Sequence, residues 1–282
     1  MFGRERIELK TPEQMLLMRR AGLVVADAHA AIRDRVAAGV TTAELDEVAA
    51  QVLADAGASS SFLGYHGYPA VLCVSVNDEV VHGIPGSRVL EPGDVVSADF
   101  GAIVDGWHGD AAFSMVVPGG SATDVDDELV ATTEAAMWAG IAALATGERL
   151  GAVGEAVEDA VDAAATAGRN GGIRFGIVED YVGHGIGTQM HQPPDVLNYR
   201  ARDRGPKLRP GMCLAIEPMI VRGENATDVL EDDWTVVTRD GSRAAHWEHT
   251  VAIHDAGIWV LTARDGGAAA LAALGVEVAP LA

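Results

Sequence analysis

The chain has 282 residues, 49% apolar and 22% charged, which is enough hydrophobic surface to offset chain entropy in one folded body and excludes wholesale disorder. Its 20 Lys and Arg against 41 Asp and Glu give a formal charge of −21, a field that repels phosphate backbones and anionic lipid, so no nucleic acid or membrane partner is expected. Cys73 and Cys213 are far apart and form neither a disulfide framework nor a cysteine metal site, the start MFGRERIELK leads into no apolar core, and no run of about 18 apolar residues is evident, so a cytoplasmic setting without leader or span is expected.

In chain order, Thr11-Pro12-Glu13 reads as an N-cap, a proline at the first helical position and an early acid, which predicts a helix through MLLMRRAGLVVADAHAAI that stops before Gly39. Thr42-Ala-Glu-Leu opens a second amphipathic helix to about Ala56, closed by Gly57. Ala70 to Val76 and Val95 to Val104 read as buried strands, and Asp105-Gly106 predicts a tight hairpin into a further strand from Trp107. Ser121 or Thr123 is the expected cap of a long helix through about Leu144, Leu150 to Ala167 is helical, and strands return near 212–221, 234–238 and 246–254. The Ala- and Gly-rich residues from about 266 to 282 read as a peripheral tail.

The order of these elements repeats. Leu90-Glu-Pro-Gly, then five residues and Asp99, parallels Leu208-Arg-Pro-Gly, then five residues and Glu217, at an offset of 118. His82-Gly-Ile is echoed by His184-Gly-Ile, and Gly39 to Leu45 by Gly147 to Val153. The expectation is a single α/β body spanning 1–282, with related halves at about 10–118 and 119–255 that each give a strand-borne carboxylate to a shared cleft.

The hairpin fixes which acids meet. With a two-residue turn at 105 and 106, residue 101 faces residue 110, which makes Asp99 and Asp110 diagonal neighbours about 7 to 8 Å apart at Cα, suited to converging on metal ions. A turn or cap role explains an isolated Asp, but Asp99 sits in an apolar strand where an ionised carboxylate needs a cation or several donors. Gly183-His184-Gly185-Ile186-Gly187 sets an imidazole among glycines that allow close backbone approach, with His191 seven residues on. Glu217 in LAIEPMIV and Glu248 in WEHTVAI are acids in apolar strands, for which a salt bridge through the fold is the competing explanation. Four carboxylates and an imidazole suit Mn, Fe, Co or Zn, and carboxylates can bridge two ions roughly 3.5 to 4 Å apart. No GxSxG or Walker motif appears, and neither cysteine has a base beside it in sequence.

The ordered set IELKTPEQ, MRRAG, GYHGYP, VNDEVVHGIP, SADFGAIVDGWHGD, YVGHGIGTQMH, LAIEPM and WEHTVAI resembles the type I methionine aminopeptidases, in the short bacterial form, over nearly the whole chain. The resemblance implies the pita-bread fold, an α/β (α+β) architecture of two pseudo-symmetric halves with antiparallel sheet and flanking helices. It further implies two divalent ions, with Asp99 chelating one, His184 and Glu217 ligating the other, and Asp110 and Glu248 bridging both. A metal-bridging water or hydroxide would then attack the first carbonyl, with Glu217 as proton shuttle, His191 on the carbonyl oxygen and His82 on the scissile nitrogen. Phe62, Tyr65, Tyr68, Cys73, Met190 and Trp234, with His66 close by, map onto the methionine pocket, and aromatic and sulfur groups suit a thioether. The implied activity is removal of N-terminal methionine before a small second residue. The implied partners are N-termini of nascent polypeptides and, in the absence of an N-terminal extension, a transient ribosome contact through the core surface. Met190, Gln192-Pro193-Pro194 and Ala111 depart from the family's frequent residues, which bears on pocket shape. A proline-specific aminopeptidase of the same fold and a non-catalytic binding protein are the alternatives.

Overall fold

Thr11 and Thr41 each accept a bond from the backbone N–H three residues on, while Gln14 and Glu44 return the bond to the cap, and these boxes open α1 (Pro12–Arg35) and α2 (Thr42–Ala56). The computed structural model describes residues 6–120, 124–167 and 175–281. After α2 come β1 (Ser59–Ser60), β2 (Cys73–Val76), β3 (Glu79–Val81), β4 (Val95–Val104) and β5 (Trp107–Val116). The second half supplies α3 (Asp124–Thr146), α4 (Gly151–Ala167), β6 (Gly176–Ile177), β7 (Gly183–Gly185), β8 (Gln192–Val196), β9 (Cys213–Ile216) and β10 (Met219–Val221). It continues with β11 (Thr227–Val229), β12 (Val236–Thr238), β13 (Ala244–His246), β14 (Glu248–His254), β15 (Gly257–Val260) and α5 (Ala268–Ala273). The candidate caps Ser121 and Thr123 lie outside the described residues.

The main sheet runs β1-β4-β5-β14-β9-β7-β8, with β2 also on β4 and β15 also on β14. All its described pairings are antiparallel. Its dividing line falls between β5 and β14: β4 lies between β2 and β5, and β9 lies between β7 and β14. This is the two-fold arrangement that the repeat predicts. Helices α1 and α2 pack on one half, α3 and α4 on the other. The core between them includes Ile32, Leu45, Phe100, Phe113, Met137, Ile141 and Ile216, all fully buried. The stretch Val125–Thr146 matches a membrane span in length and mean hydropathy (1.3), an exception to the expected lack of such a run, and it packs on α4 and the strands.

The predicted hairpin forms in the expected register. Asp105 and Gly106 both take positive φ, 51° and 80°, as a primed turn requires, and Gly101 faces Asp110 while Asp99 faces Ala112. Three readings change. The strand expected over 70–76 is regular only from Cys73, because Asp46 takes the backbone N–H groups of Val71 and Leu72 that a ladder would use. The single strand expected near 212–221 is split by Pro218, whose missing N–H ends the ladder, and β10 joins a second sheet with β13 and β6. The tail at 266–282 is anchored, with Leu271 fully buried and the Ala279 carbonyl 2.8 Å from His254 Nε2.

The echo of His82 in His184 is not a structural correspondence. Val76 faces Val96, and Gly185 faces Leu214, which lies 118 positions after Val96. Gly185 therefore corresponds to Val76, and His184 to Ser75. His82 follows β3 in a different setting.

Candidate active site

Strand pairing sets a row across the centre of the main sheet. Cys73 faces Asp99, Asp99 faces Ala112, and Ala112 faces Glu248. His249 faces Ile216, so one further step of the same register sets Glu217 opposite Glu248. Asp110, two residues before Ala112, shares its face. Four acids from β4, β5, β14 and the end of β9 thus converge, with the small Ala112 side chain between two of them.

The surrounding backbone fixes these groups. Thr250 Oγ1 accepts from the Asp110 N–H at 3.1 Å and donates to the Asp110 carbonyl at 2.7 Å. Asn198 donates to the Glu217 carbonyl at 3.1 Å. The glycines around His184 are sterically required: a Cβ on Gly183 would lie 2.4 Å from the Ala215 carbonyl oxygen, and one on Gly185 would lie 2.4 Å from that of Pro193. His184 Nδ1 is 3.0 Å from the Gly185 carbonyl oxygen, which only accepts, so Nδ1 carries the proton and Nε2 keeps its lone pair, 3.3 Å from Glu217 Oε1.

The electrostatics are those of crowded anions. Burial, then Asp110 and Glu217, pushes Asp99 well above the usual carboxylate range. Burial lifts Asp110 to about 7, burial and Asp110 raise Glu217, and burial and all three acids raise Glu248. Burial and His191 lower His184 to about 3. No Lys or Arg lines the cleft. Asp99 Oδ1, Asp110 Oδ1, Glu248 Oε1 and His246 Nε2 are buried without a hydrogen-bond partner among the described residues. The salt-bridge explanation for the buried glutamates therefore has no Lys or Arg to supply the charge among the described cleft residues, His184 being held neutral, and a cation is what such a donor set requires. Asp110, His184 and Glu248 present ligand atoms within 4.8 Å of one another, as do Glu217, His246 and Glu248. The residues present fit divalent metal.

Every sequence-predicted site residue lines one cavity of about 290 Å³. The four acids and the His184 imidazole form one wall. Phe62, Tyr68, Cys73 and Met190 form a buried apolar cluster against which Tyr65 and Trp234 pack. Tyr68 donates to the Leu72 and Gly83 carbonyls, leaving its ring face to the pocket. His66 sits exposed beside Tyr65, with ring centroids 4.4 Å apart. His191 Nδ1 is 2.7 Å from the Tyr65 hydroxyl, and its ring lies 4.3 Å from that of His184. His82 takes φ 62°, an unusual conformation for a non-glycine residue, which turns it toward Trp234 and Tyr181. Of the sequence departures, Met190 lines the pocket, whereas Ala111 is fully buried on the opposite face of β5 and does not touch it.

The model of metallopeptidase family M24 matches residues 16–255. The chain belongs to metallopeptidase family M24. It is 51% identical over 262 residues to methionine aminopeptidase 1 of Mycobacterium tuberculosis, covering 92% of this chain and 96% of that one. The crystal structure of methionine aminopeptidase from Thermotoga maritima superposes with a TM-score of 0.85 at 38% identity, covering 91% of this chain and 99% of that one. Prolidase from Pyrococcus furiosus shares the fold alone, with a TM-score of 0.68 at 20% identity, and this chain covers 65% of it. The pita-bread architecture is thus that of the M24 metallopeptidases. Two cleft residues of this M24 chain escape sequence reasoning, Val81 and His246. His246 was detectable in principle, since it stands two residues before Glu248 and two-residue spacing in extended chain shares a face.

Proposed function

We propose that this chain is a cytoplasmic methionine aminopeptidase that uses two divalent ions of the Mn, Fe, Co or Zn class and removes N-terminal methionine from nascent polypeptides with a small second residue. The observation that carries the reading is the junction of two chemistries in one cleft: a wall of buried, cation-less acids with His184, directly beside the apolar cluster of Phe62, Tyr68, Cys73 and Met190. The pocket accepts an unbranched thioether side chain through aromatic faces and polarizable sulfur. The ions would be held by Asp99, Asp110, His184, Glu217 and Glu248, and when bound they supply a Lewis acid and an activated water at neutral pH.

The chain's own residues do the rest. The free α-amine of the first residue would bind where these acids hold the ions, which restricts cleavage to chain ends. His191, positioned by Tyr65, donates to the carbonyl oxygen as negative charge develops there. His82, lowered to about 4 by burial and His191, is neutral at physiological pH and contacts the scissile nitrogen. Glu217 carries the proton from the attacking water to the leaving amine.

The test is a peptide-release assay on metal-stripped protein with Mn, Fe, Co and Zn restored singly. Methionine is released from Met-Ala-Ser, release falls as the second residue grows, and Ala-Pro is left intact. Protein that binds ions yet frees no methionine from any such peptide overturns the proposal, and cleavage of Ala-Pro replaces it with a proline-specific one.

A further inference from the structure

We propose that His246 is itself a metal ligand, sharing an ion with Glu217 and Glu248 and adding a second imidazole that biases the site toward the later divalent transition metals. The inference rests on the reading of this cleft as a metal site, and it assigns a residue that the five-ligand set leaves out.

The first observation is an unused donor. His246 is buried and lines the cavity, and its Nε2 has no hydrogen-bond partner among the described residues. A structural histidine in a packed interior typically satisfies both ring nitrogens, because a buried polar atom left bare is destabilising. A carboxylate oxygen, Glu217 Oε2, lies 3.7 Å away, too far for a direct hydrogen bond but suited to an ion between them.

The second is aim. Met219 faces His246 in the small sheet, and Ser114 fixes the His246 backbone from both sides, accepting from its N–H at 2.8 Å and donating to its carbonyl at 2.9 Å. With the backbone fixed, His246 and Glu248 project to one side, and Trp247 between them turns the other way, where Arg33 stacks 5.1 Å from its ring. Glu217, His246 and Glu248 bring ligand atoms within 4.8 Å of one another, all three residues being buried.

The chemical consequence is selectivity. Carboxylates alone suit Mg and Mn, whereas each imidazole shifts preference toward Fe, Co, Ni and Zn. With His184 and His246 together, the site carries two nitrogens beside four carboxylates.

The decisive measurements are equilibrium binding of Co, Zn and Mn to the full-length protein and to His246→Gln and His246→Ala, with the visible spectrum of the Co-loaded forms. Loss of a group that merely supports a ligand typically lowers metal affinity 10- to 100-fold, so both variants are expected to lose at least about 10-fold for Co and Zn, with a changed Co spectrum and a smaller effect on Mn. Circular dichroism of the metal-free variants separates this from misfolding. A Zn-loaded crystal structure of the unmodified protein gives a check that needs no variant, with His246 Nε2 at about 2.0–2.1 Å from an ion. Unchanged Co affinity and spectrum, or a Zn-loaded structure in which Nε2 touches no ion, overturns the proposal. Ions bound without His246 defeat this inference only, while protein that binds no ion defeats the reading of the cleft.

Discussion

Ala112 sets the space between acids that would otherwise have none to spare. It faces Asp99 on one side and Glu248 on the other, and its methyl is the only side chain between them. Ala112→Val fills the position an ion needs, so metal affinity by calorimetry falls, and overpacking costs about 1–3 kcal/mol of stability in denaturant titration. Asp99 and His191 are expected to separate two kinds of loss. Asp99→Ala weakens metal binding and abolishes methionine release together. His191→Ala leaves binding intact while lowering kcat by about 100- to 1,000-fold, the effect of removing one donor to a developing oxyanion. If the His191 variant loses metal instead, its place on the peptide is wrong.

At the level of elements, the two strongest local signals in the sequence each carried a pair of predicted ligands to its place. Asp105-Gly106 fixed the β4–β5 register, and through it the diagonal approach of Asp99 and Asp110. The repeated Leu-x-Pro-Gly spacing set Glu217 at the position of Asp99 in the other half. The two-residue spacing to Glu248 marks His246 as a neighbour of that acid, but its approach to Glu217 depends on the break at Pro218 and a second sheet, which no local pattern encodes. The apparent kinship of His82 and His184 misled for a related reason: three shared letters carried no register. The glycine run is legible only as permissive from the sequence, whereas the structure makes it obligatory. Gly185→Ala drives a methyl into the Pro193 carbonyl, which cannot retreat as a flexible side chain would. The expected result is a melting temperature lower by several degrees and weaker metal binding as His184 shifts, both measurable by thermal unfolding with and without added ion.

Across the whole molecule, proton and metal compete for the same wall of acids. The folded-state pKa of Asp110, about 7 against an ordinary 3.8, is raised, so its contribution to metal-free stability is complete below the ordinary value and lost as pH climbs through 7. Bound cations reverse that loss. Ion at about 100 times its dissociation constant stabilises by about 2.7 kcal/mol, or about 5–10 °C in a chain of this class, and the increment grows from mildly acidic to mildly alkaline pH. A shift independent of pH would contradict the buried-acid account. Buried His29, held well below its usual range by burial and by Arg33, acts in the opposite direction: its stabilisation is present above about pH 6.5 and lost as pH falls, so His29→Leu should flatten the acid limb of the melting curve. The sheet order has a further consequence in time. Strands β5 and β9 never touch, and only β14, near the end of the chain, lies between them and bears Glu248. During synthesis both sets of flanking helices and four of the five predicted ligands emerge while the catalytic wall is still open, and the enzyme stays inert until its last central strand is made.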